Sequence, residues 1–321
     1  MATMKDVAKR AGLSVSCVSK YLNRPNSVLP ATKQKIDEAI AALDYKPSII
    51  AQSLRTKRSR IIVVIMESVI NPFFAALFEA IRHDCEQNGY FVMLHTLSGR
   101  SYNRSDFAYA DGILLCFPDK QADIADILDA AGNTPTVLIH GCPAQAHVPS
   151  VLVNVGKGSA EAVSYLLSLG CRTFVTVGGD PDNSTMSRVK GNAIRQALAA
   201  QKVCTAVHIS AEQSHSGGIC AVEQLESQLS AVDAILCESD AIAAGVLSAL
   251  NGRGIRVPED IRVMGYDNIL LAAMFNPPIS TVAIPIEQLG AAAVGMVCKM
   301  INGEPVEDQH FDPTLKIRET T

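Results

Sequence analysis

The segment 4–23, MKDVAKRAGLSVSCVSKYLN, predicts two short helices separated by a tight turn. Thr3 is a good N-cap for the first helix, and an acidic residue follows three positions later, which is the spacing of a capping box. Gly12 is expected to end that helix, because glycine accepts the left-handed conformation common at helix C-termini. Ser14 can cap a second helix over 15–22. This pattern is typical of a helix-turn-helix, whose second helix enters the major groove of DNA.

A third helix is predicted in TKQKIDEAIAALDY, residues 32–45, where apolar residues recur at a spacing of three and four. Its side chains Ile36, Ala39, Ile40 and Leu43 would close a small three-helix core. An ordinary helical hairpin without a role in DNA binding is the alternative that this pattern leaves open.

The charge distribution favours the DNA-binding interpretation. Residues 1–60 hold 12 Lys and Arg against 4 Asp and Glu, a formal charge of +8. The remaining residues hold 16 against 28, a formal charge of -12. Such segregation suggests a basic module for nucleic acid attached to an acidic body.

The segment 45–60, YKPSIIAQSLRTKRSR, predicts a connecting element with its own contact to DNA. Pro47 disfavours helix at the preceding residue, and Ser48 can cap a short helix over 49–54. Leu54 is apolar and cationic residues follow it, so DNA could order the segment with an apolar wedge in the minor groove. A plain basic linker is the alternative.

Beyond residue 60, apolar strands alternate with helices in two series, and the second series is expected to begin at SVLVNV, residues 150–155. Buried apolar strands that alternate with helices indicate parallel sheets covered on both faces. The predicted fold is therefore an all-α helix-turn-helix headpiece followed by an α/β body of two doubly wound parallel-sheet subdomains. A ligand cleft is expected at the carboxyl ends of the strands.

Motifs along essentially the whole chain resemble the lactose/galactose repressor (LacI/GalR) family of bacterial transcription regulators. Residues 3–59 resemble the DNA-binding headpiece of that family. Further family-like motifs follow in the same order: NPFF (71–74), SRVKGNAIRQAL (187–198), VPEDIRVMGYDN (257–268), PPISTVAIPIEQLGAAAV (277–294) and LKIRET (315–320).

The resemblance implies three domains, with a body similar to periplasmic sugar-binding proteins. These are a headpiece over 1–46, a hinge helix or linker over 47–59 and an effector-binding and dimerisation domain over 60–321. The N-subdomain of the body is expected at about 60–157 plus 286–306, and the C-subdomain at about 158–285 plus 307–321.

The resemblance also implies which residues contact DNA. Val15, Ser16 and Lys20 match positions that read base edges: valine can touch a thymine methyl group, serine can bond either base type, and lysine suits guanine. Ser14 and Ser19 are expected to bond phosphates. The hinge leucine, Leu54, is expected to insert at the centre of the operator, and the remaining candidates are Thr3, Asn23, Ser48, Ala51 and Arg55.

Members of the family bind as dimers whose hinge helices pack together, so a homodimer on a pseudo-palindromic operator is expected. A small-molecule effector would change the angle between the subdomains and shift the hinge-helix population, which is an allosteric two-state coupling. No leucine heptad follows the last strand motif, so a coiled-coil tetramer is not expected.

Residues at predicted strand ends are candidates for binding the effector. Asn71, Phe73 and Phe74 follow the first strand; an aromatic ring can stack on a sugar or purine, and asparagine can bond hydroxyls. Both phenylalanines could instead belong to the helix core. The resemblance implies that Arg188 grips the effector and that Asp267 bonds its hydroxyls. The alternatives are a surface charge for the arginine and an N-cap for the aspartate.

Three more candidates mark departures from the family. This chain has Ser239 before Asp240 where the family often has Asn-Asp, and His140 before Gly141 where it often has Asp-Arg. The loss of an Asp and an Arg at 140–141 removes charged hydrogen-bonding groups. The effector is therefore predicted to be a sugar or sugar derivative other than a common hexose. Phe117 could add an apolar wall to the site. The segment 96–111 is also short for the family, and a short helix is predicted within 101–110.

Several function classes are disfavoured by missing motifs. The nine cysteines form no CxxC pair and the histidines show no metal-binding spacing, so neither a metal nor a disulfide is predicted. No GxGxxG follows a strand, and Walker and GxSxG motifs are absent, so no cofactor and no enzyme activity are predicted. A periplasmic-type sugar-binding receptor without a DNA role is the alternative, but it would leave the headpiece unexplained. With no signal peptide or membrane-length apolar run, a cytoplasmic location is expected.

Overall fold

The computed structural model describes residues 2–23, 27–45, 58–97, 101–117, 121–140, 148–180, 182, 184–201 and 206–321, without the side chains of 23, 121–123, 185 and 206. The chain forms two compact units, Met1–Ser59 and Arg60–Thr321, and each is considered by itself. The predicted hinge helix over 49–54 lies outside the described residues. In the part of the chain that is described, no helix is both long and apolar enough to span a membrane.

The first unit is the predicted helix-turn-helix with a third packing helix. Its helices are α1 (Met4–Ala11), α2 (Val15–Asn23) and α3 (Pro30–Ala42). The predicted capping box joins Thr3 to Asp6, and Gly12 ends α1 in the left-handed conformation at φ 66°. The three helices pack around a small apolar core that includes Val7, Val18 and Ile36.

The body begins with elements that build the first sheet. They are β1 (Ile61–Met66), α4 (Pro72–Gln87), β2 (Phe91–Thr96), α5 (Arg104–Phe107), β3 (Gly112–Cys116), α6 (Gln121–Ala131), β4 (Thr136–Ile139) and β5 (Ser150–Val153). The helix predicted within 101–110 is therefore present as α5. A strand from later in the chain, β11 (Gln309–Phe311), joins this sheet. The strand order is β11-β5-β4-β3-β1-β2, and neighbouring strands pair in parallel.

The second half of the body builds the other sheet. Its elements are α7 (Val155–Ser168), β6 (Phe174–Gly178), α8 (Thr185–Ala200), β7 (Ala206–Ser210), α9 (His215–Gln224), β8 (Ala234–Cys237), α10 (Asp240–Gly252), β9 (Arg262–Asp267), β10 (Ser280–Ala283), α11 (Ile286–Ile301), β11 (Gln309–Phe311) and β12 (Thr314–Lys316). The strand order is β12-β10-β9-β8-β6-β7, with β12 antiparallel to β10. Short 3₁₀ helices lie at Leu229–Ala231 and Leu270–Ala273.

Two strands pair differently from the sequence prediction. The segment SVLVNV was expected to open the second series, but β5 pairs with β4 in the first sheet, a position inside the span of about 60–157 predicted for the N-subdomain. Residues 309–311 were assigned to the C-subdomain, but β11 pairs with β5. The carboxylate of Asp308 supports this pairing by accepting the Ser150 N–H at 2.8 Å. The last crossing between the sheets therefore follows Phe311 rather than residue 306.

The central strands are buried on both faces, as parallel sheets between helices require. On β1, Ile62 and Val64 face one apolar cluster, whereas Val63 and Ile65 face another on the opposite side of the sheet. Strand β3 is wholly buried. Because the strands run in parallel, their carboxyl ends lie along one edge of each sheet, where loops carry the polar side chains.

Candidate functional site

Five strands of the body end at one cavity, which we call the inner cavity. The residue that follows or ends each of β1, β3, β6, β8 and β9 lines it, namely Glu67, Phe117, Gly179, Glu238 and Asp267. The cavity has a volume of about 190 Å³. Both sheets contribute walls, so a ligand here would contact both subdomains at the strand ends where doubly wound folds bind ligands.

A larger outer cavity of about 680 Å³ adjoins the inner one and shares four of its lining residues, Glu67, Asn71, Phe74 and Gln213. Its polar lining includes Ser68 and His215, and its apolar lining includes Ile269, Leu271 and Phe275. Together the two cavities offer a small inner compartment and a roomier outer one.

Three phenylalanine rings form one wall of the inner cavity. Phe73 packs edge-on against Phe74 and Phe117 with ring centroids 5.5 and 5.0 Å apart, and Phe74 lies 6.0 Å from Phe117. Asn71 caps α4, and its side-chain oxygen accepts the Phe73 N–H at 3.0 Å. The two alternatives for Phe73 and Phe74 thus coincide, because both rings are buried in the core and line the cavity.

His140 supports this wall from behind rather than lining the inner cavity. Its ring lies 5.0 Å from that of Phe117, and its Nδ1 accepts the Val153 N–H at 3.1 Å. Burial, reinforced by the charge of Lys190, lowers the pKa of His140 to about 3, so the ring is neutral at physiological pH. A neutral ring is required for Nδ1 to accept a hydrogen bond.

Backbone strain is concentrated at the strand ends of this site. Phe117, His140 and Asp267 have φ values of 47°, 48° and 103°, which residues other than glycine rarely adopt. Such conformations cost on the order of 1–3 kcal/mol each and persist where the surrounding structure enforces them. All three are site candidates from the sequence, so the strain coincides with the predicted site.

The polar side of the inner cavity is organised around Lys190 of α8. Its Nζ donates to the main-chain oxygen of Glu238 at 2.8 Å and lies 3.4 Å from Oδ1 of Asp267. It also lies 4.2 Å from the centroid of the Tyr266 ring. Burial raises the pKa of Asp267 to about 6, while Lys190 opposes that shift. The lysine therefore holds the carboxylate at the cavity wall.

Two further acids are buried beside this pair. Glu238 lines the inner cavity, and burial raises its pKa to about 7, against the effects of Ser187 and Lys190. Asp240 opens α10, accepts the Ile269 N–H at 2.8 Å and has a pKa raised to about 7 by burial and by the charge of Asp267. The raised pKa values of Asp267, Glu238 and Asp240 mean that burial in this site disfavours the ionised form of each carboxyl group.

Six of the eight predicted effector residues line the inner cavity: Asn71, Phe73, Phe74, Phe117, Ser239 and Asp267. Ser239 also caps α10 by accepting the Ile242 N–H at 3.3 Å. Arg188 is not brought into the lining, because it is exposed on α8, whereas Ser187 and Lys190 face the cavity. Successive residues of an α-helix are rotated by about 100° around the helix axis, so only one side of α8 can face the cavity, and Arg188 lies on another side.

Sequence reasoning missed several lining residues, among them Glu67, Ser187, Lys190 and Glu238. Glu67 and Glu238 directly follow apolar strands, so the strand-end argument that selected Phe117 could have selected them. Lys190 lies three positions after Ser187 on α8, a spacing that places two residues on one helix face.

The headpiece presents the predicted DNA-contact face on α2. Ser14, Ser16 and Lys20 are exposed and Val15 is 41% exposed, whereas Val18 points into the core. Ser14 also caps α2 by accepting the Cys17 N–H at 3.2 Å. Ser19 is half-buried, and Thr3 is engaged in the capping box of α1. The side chain of Asn23 and the hinge residues Ser48, Ala51, Leu54 and Arg55 lie outside the described residues.

A helix-turn-helix with an exposed second helix, joined to two doubly wound subdomains around a cavity, defines a class of ligand-responsive, DNA-binding transcription regulators. Residues 3–48 match the family described as bacterial regulatory proteins, lacI family, and residues 163–321 match the periplasmic binding protein-like domain.

Comparison with known proteins extends this likeness over the whole chain. The HTH-type transcriptional repressor PurR of Vibrio atlanticus (strain LGP32) is 30% identical, over 97% of this chain and 96% of the relative. The ribose operon repressor of Haemophilus influenzae is also 30% identical, over 100% and 98%. A solved structure of the Lac repressor dimer bound to operator and the anti-inducer ONPF superposes with a TM-score of 0.86 and 25% identity, covering 99% of this chain and 98% of that one.

The chain therefore belongs to the LacI family and is a DNA-binding transcription regulator with a small-molecule effector domain. A sugar-binding receptor without a DNA role is not favoured, because the headpiece itself matches the regulators.

Proposed function

We propose that this chain is a repressor whose affinity for its operator is set by a small molecule, a sugar or sugar derivative, bound in the inner and outer cavities. The observation that carries the proposal is the origin of the cavity lining in both subdomains. A ligand that contacts both subdomains can bind more tightly to a conformation with one inter-subdomain angle than to a conformation with another. This difference in affinity is what a population shift requires.

Within the headpiece, Val15, Ser16 and Lys20 read base edges, while Ser14 and Ser19 bond phosphates. The exposure of Val15, Ser16 and Lys20 on α2 supports this assignment. The headpiece spans 1–46 and the hinge 47–59, where Leu54 enters the operator. Two copies of the chain bind a pseudo-palindromic operator, as expected for a symmetric dimer of helix-turn-helix units.

Within the body, Asn71, Phe73, Phe74, Phe117, Ser239 and Asp267 contact the effector, and we add Lys190 and Glu238. His140 acts through Phe117, which it packs against. Arg188 stays a sequence-based prediction, since it is exposed and outside the lining. The chain acts in the cytoplasm and catalyses no reaction.

The operator contacts can be tested with alanine variants of α2. An operator selected from random-sequence DNA is titrated with the full-length protein in a gel-shift assay. We expect Ser16→Ala and Lys20→Ala each to cost about 1–3 kcal/mol of operator affinity and to relax base preference at one position. Affinity should also fall steeply with added salt, because phosphate contacts release counterions.

Lys35→Ala is the matched control, since it removes the same charge from an exposed position on α3. If Lys20→Ala and Lys35→Ala reduced operator affinity by the same amount, the proposal that α2 reads base edges would be refuted. An affinity that does not change with salt would argue against phosphate contacts.

A further inference from the structure

Carboxyl groups outnumber cations in the inner cavity. Glu67, Glu238 and Asp267 line it, whereas Lys190 is the one Lys or Arg among the described residues of its lining. The Lys190 ammonium lies against the carboxylate of Asp267, but it meets Glu238 only at the main-chain oxygen. Direct ion pairing therefore reaches Asp267 and leaves the carboxyl group of Glu238 without a cationic partner in contact.

The carboxyl group of Glu238 is also incompletely hydrogen-bonded. The residue is 1% exposed. Its Oε2 accepts the Gly179 N–H at 3.2 Å and the Gln213 side-chain amide at 3.3 Å. Its Oε1 makes no hydrogen bond of good geometry within the described part of the chain, although the Ser187 hydroxyl lies close enough to lower the pKa of the carboxyl group. Buried polar atoms are normally bonded, so an unpartnered acceptor in the wall of a cavity indicates a donor supplied by a ligand.

The aromatic lining of the same cavity also suits a positive charge. Phe73, Phe74 and Phe117 line the same cavity, and the faces of aromatic rings attract ammonium groups. A hydroxyl group would supply a donor to Glu238 but would add no positive charge to that of Lys190, which opposes the rise in the Glu238 pKa only in part. Transferring a carboxylate from water to a buried site costs free energy unless it is paired. An ammonium group supplies both the donor and the charge.

We propose that the effector carries a protonated amine, which lies in the inner cavity between the three phenylalanines and Glu238. The rest of the molecule is polyhydroxylated, as in an amino sugar, and lies in the outer cavity among its polar lining residues. This inference rests on the proposed function, in which the two cavities bind the effector.

The protonation of Glu238 gives the binding a characteristic pH dependence. An amine pairs with the ionised carboxylate, whereas burial gives Glu238 a pKa of about 7, so that the carboxyl group holds a proton at lower pH. The cation that acts on it is Lys190 on α8, and the other carboxyl groups that line the same cavity are Glu67 after β1 and Asp267 at the end of β9. Affinity for a protonated amine should therefore rise from about pH 5.5 to about pH 7 and fall again where the amine itself loses its proton, whereas a neutral sugar gains nothing from ionising Glu238.

The test uses matched ligands and the full-length protein in calorimetric titrations. D-glucosamine is compared with D-glucose and D-galactosamine with D-galactose, and the N-acetylated sugars keep the nitrogen without its charge. We expect one amine to bind at least about tenfold, or 1.4 kcal/mol, more tightly than its hydroxyl and N-acetyl counterparts. Glu238→Gln should abolish that preference, while Glu223→Gln, an exposed carboxylate on α9 outside the lining of both cavities, should keep it.

The wild-type pH profile provides a second measurement that needs no variant. Parent sugars that bind as tightly as the amines, amines whose affinity falls between about pH 5.5 and about pH 7, or amines that do not bind at all would overturn the proposal. Operator affinity is measured on the same preparation, so that a failed proposal with intact operator binding is distinguished from a failure of the proposed function.

Discussion

Single residues at strand ends determine the chemistry of the cavity. Glu67, Phe117, Glu238 and Asp267 each follow or end a buried strand, and the positive φ of Phe117 and Asp267 shows that the backbone turns sharply there. Because the walls are buried, ionisation of their carboxyl groups is coupled to folding and to ligand binding. Lys190 is the side chain that limits this cost for Asp267.

We predict that Glu238→Gln makes the stability of the body less dependent on pH. Burial raises the folded-state pKa of Glu238 to about 7 from a model-compound value of 4.5. Between these values the folded chain holds a proton that the unfolded chain has released, so the free energy of unfolding falls as pH rises through this window. The variant should lose that decline and be more stable than wild type at pH 8, by on the order of 2 kcal/mol.

Urea unfolding of the body from about pH 5 to about pH 8 measures this effect. Glu212→Gln serves as the control, because it changes the same charge at an exposed position. Asp240 and Asp267, whose pKa values are also raised, should leave a residual decline in the variant. If the free energy of unfolding depended on pH in the same way in wild type and in Glu238→Gln, then ionised Glu238 would not destabilise the fold.

Pairs of elements determine how precisely the site is held. Helix α10 begins at Asp240, directly after the cavity residue Ser239, and packs against α9 at a close crossing. A Cβ added at Gly245 of α10 would lie 1.9 Å from the main-chain oxygen of His215. One added at Gly218 of α9 would lie 2.1 Å from the main-chain oxygen of Ile242. Glycine at both positions therefore allows the two backbones to touch.

We predict that Gly245→Ala destabilises the body by about 1–3 kcal/mol, because main-chain atoms cannot move aside as a flexible side chain can. The displaced start of α10 should also weaken effector binding. Gly252→Ala, on the same helix but with no atom within 4 Å of the added Cβ, is the matched control and should leave both properties unchanged. Thermal unfolding and effector titration of the two variants test this, and equal melting temperatures would contradict the close crossing.

At the scale of the whole molecule, the chain passes three times between the two sheets of the body: after β5, after β10 and after β11. The cavity lies between the walls that these sheets provide. A change in the angle between the subdomains would therefore alter the cavity, and a ligand would alter the angle. Under the proposed function, in which the subdomain angle sets operator affinity, binding of effector and operator is reciprocally coupled.

We predict that operator DNA changes the affinity for the effector by the same factor as the effector changes the affinity for operator, roughly 5- to 150-fold. Effector titrations with and without operator, compared with operator titrations with and without effector, measure the two factors. Lys20→Ala should lower operator affinity and leave effector affinity in the absence of DNA unchanged. Two factors that differ beyond experimental error would exclude a single coupled equilibrium.

The headpiece could be predicted almost completely from the sequence, whereas the cavity could be predicted only in part. Thr3, Gly12 and Ser14 act on neighbours within a few positions, so their caps and turn are visible in the chain itself. For the cavity, strand-end reasoning selected Phe117 and Asp267 but not Glu238. Lys190 rather than Arg188 faces the cavity because of the rotation of α8 about its own axis, which packing determines.

The sequence by itself therefore determined the fold class, because the helix-turn-helix depends on local capping and the alternating apolar strands depend on local periodicity. The class of protein was indicated by the resemblance of its motifs to a known family. The tertiary structure alone decided that β5 and β11, more than 150 residues apart, pair in one sheet. It also decided that Glu238 is buried among Gly179, Gln213 and Lys190 with one oxygen unpartnered in the described part of the chain. Pairing and desolvation arise between segments distant in sequence, so they exist only once the chain has folded.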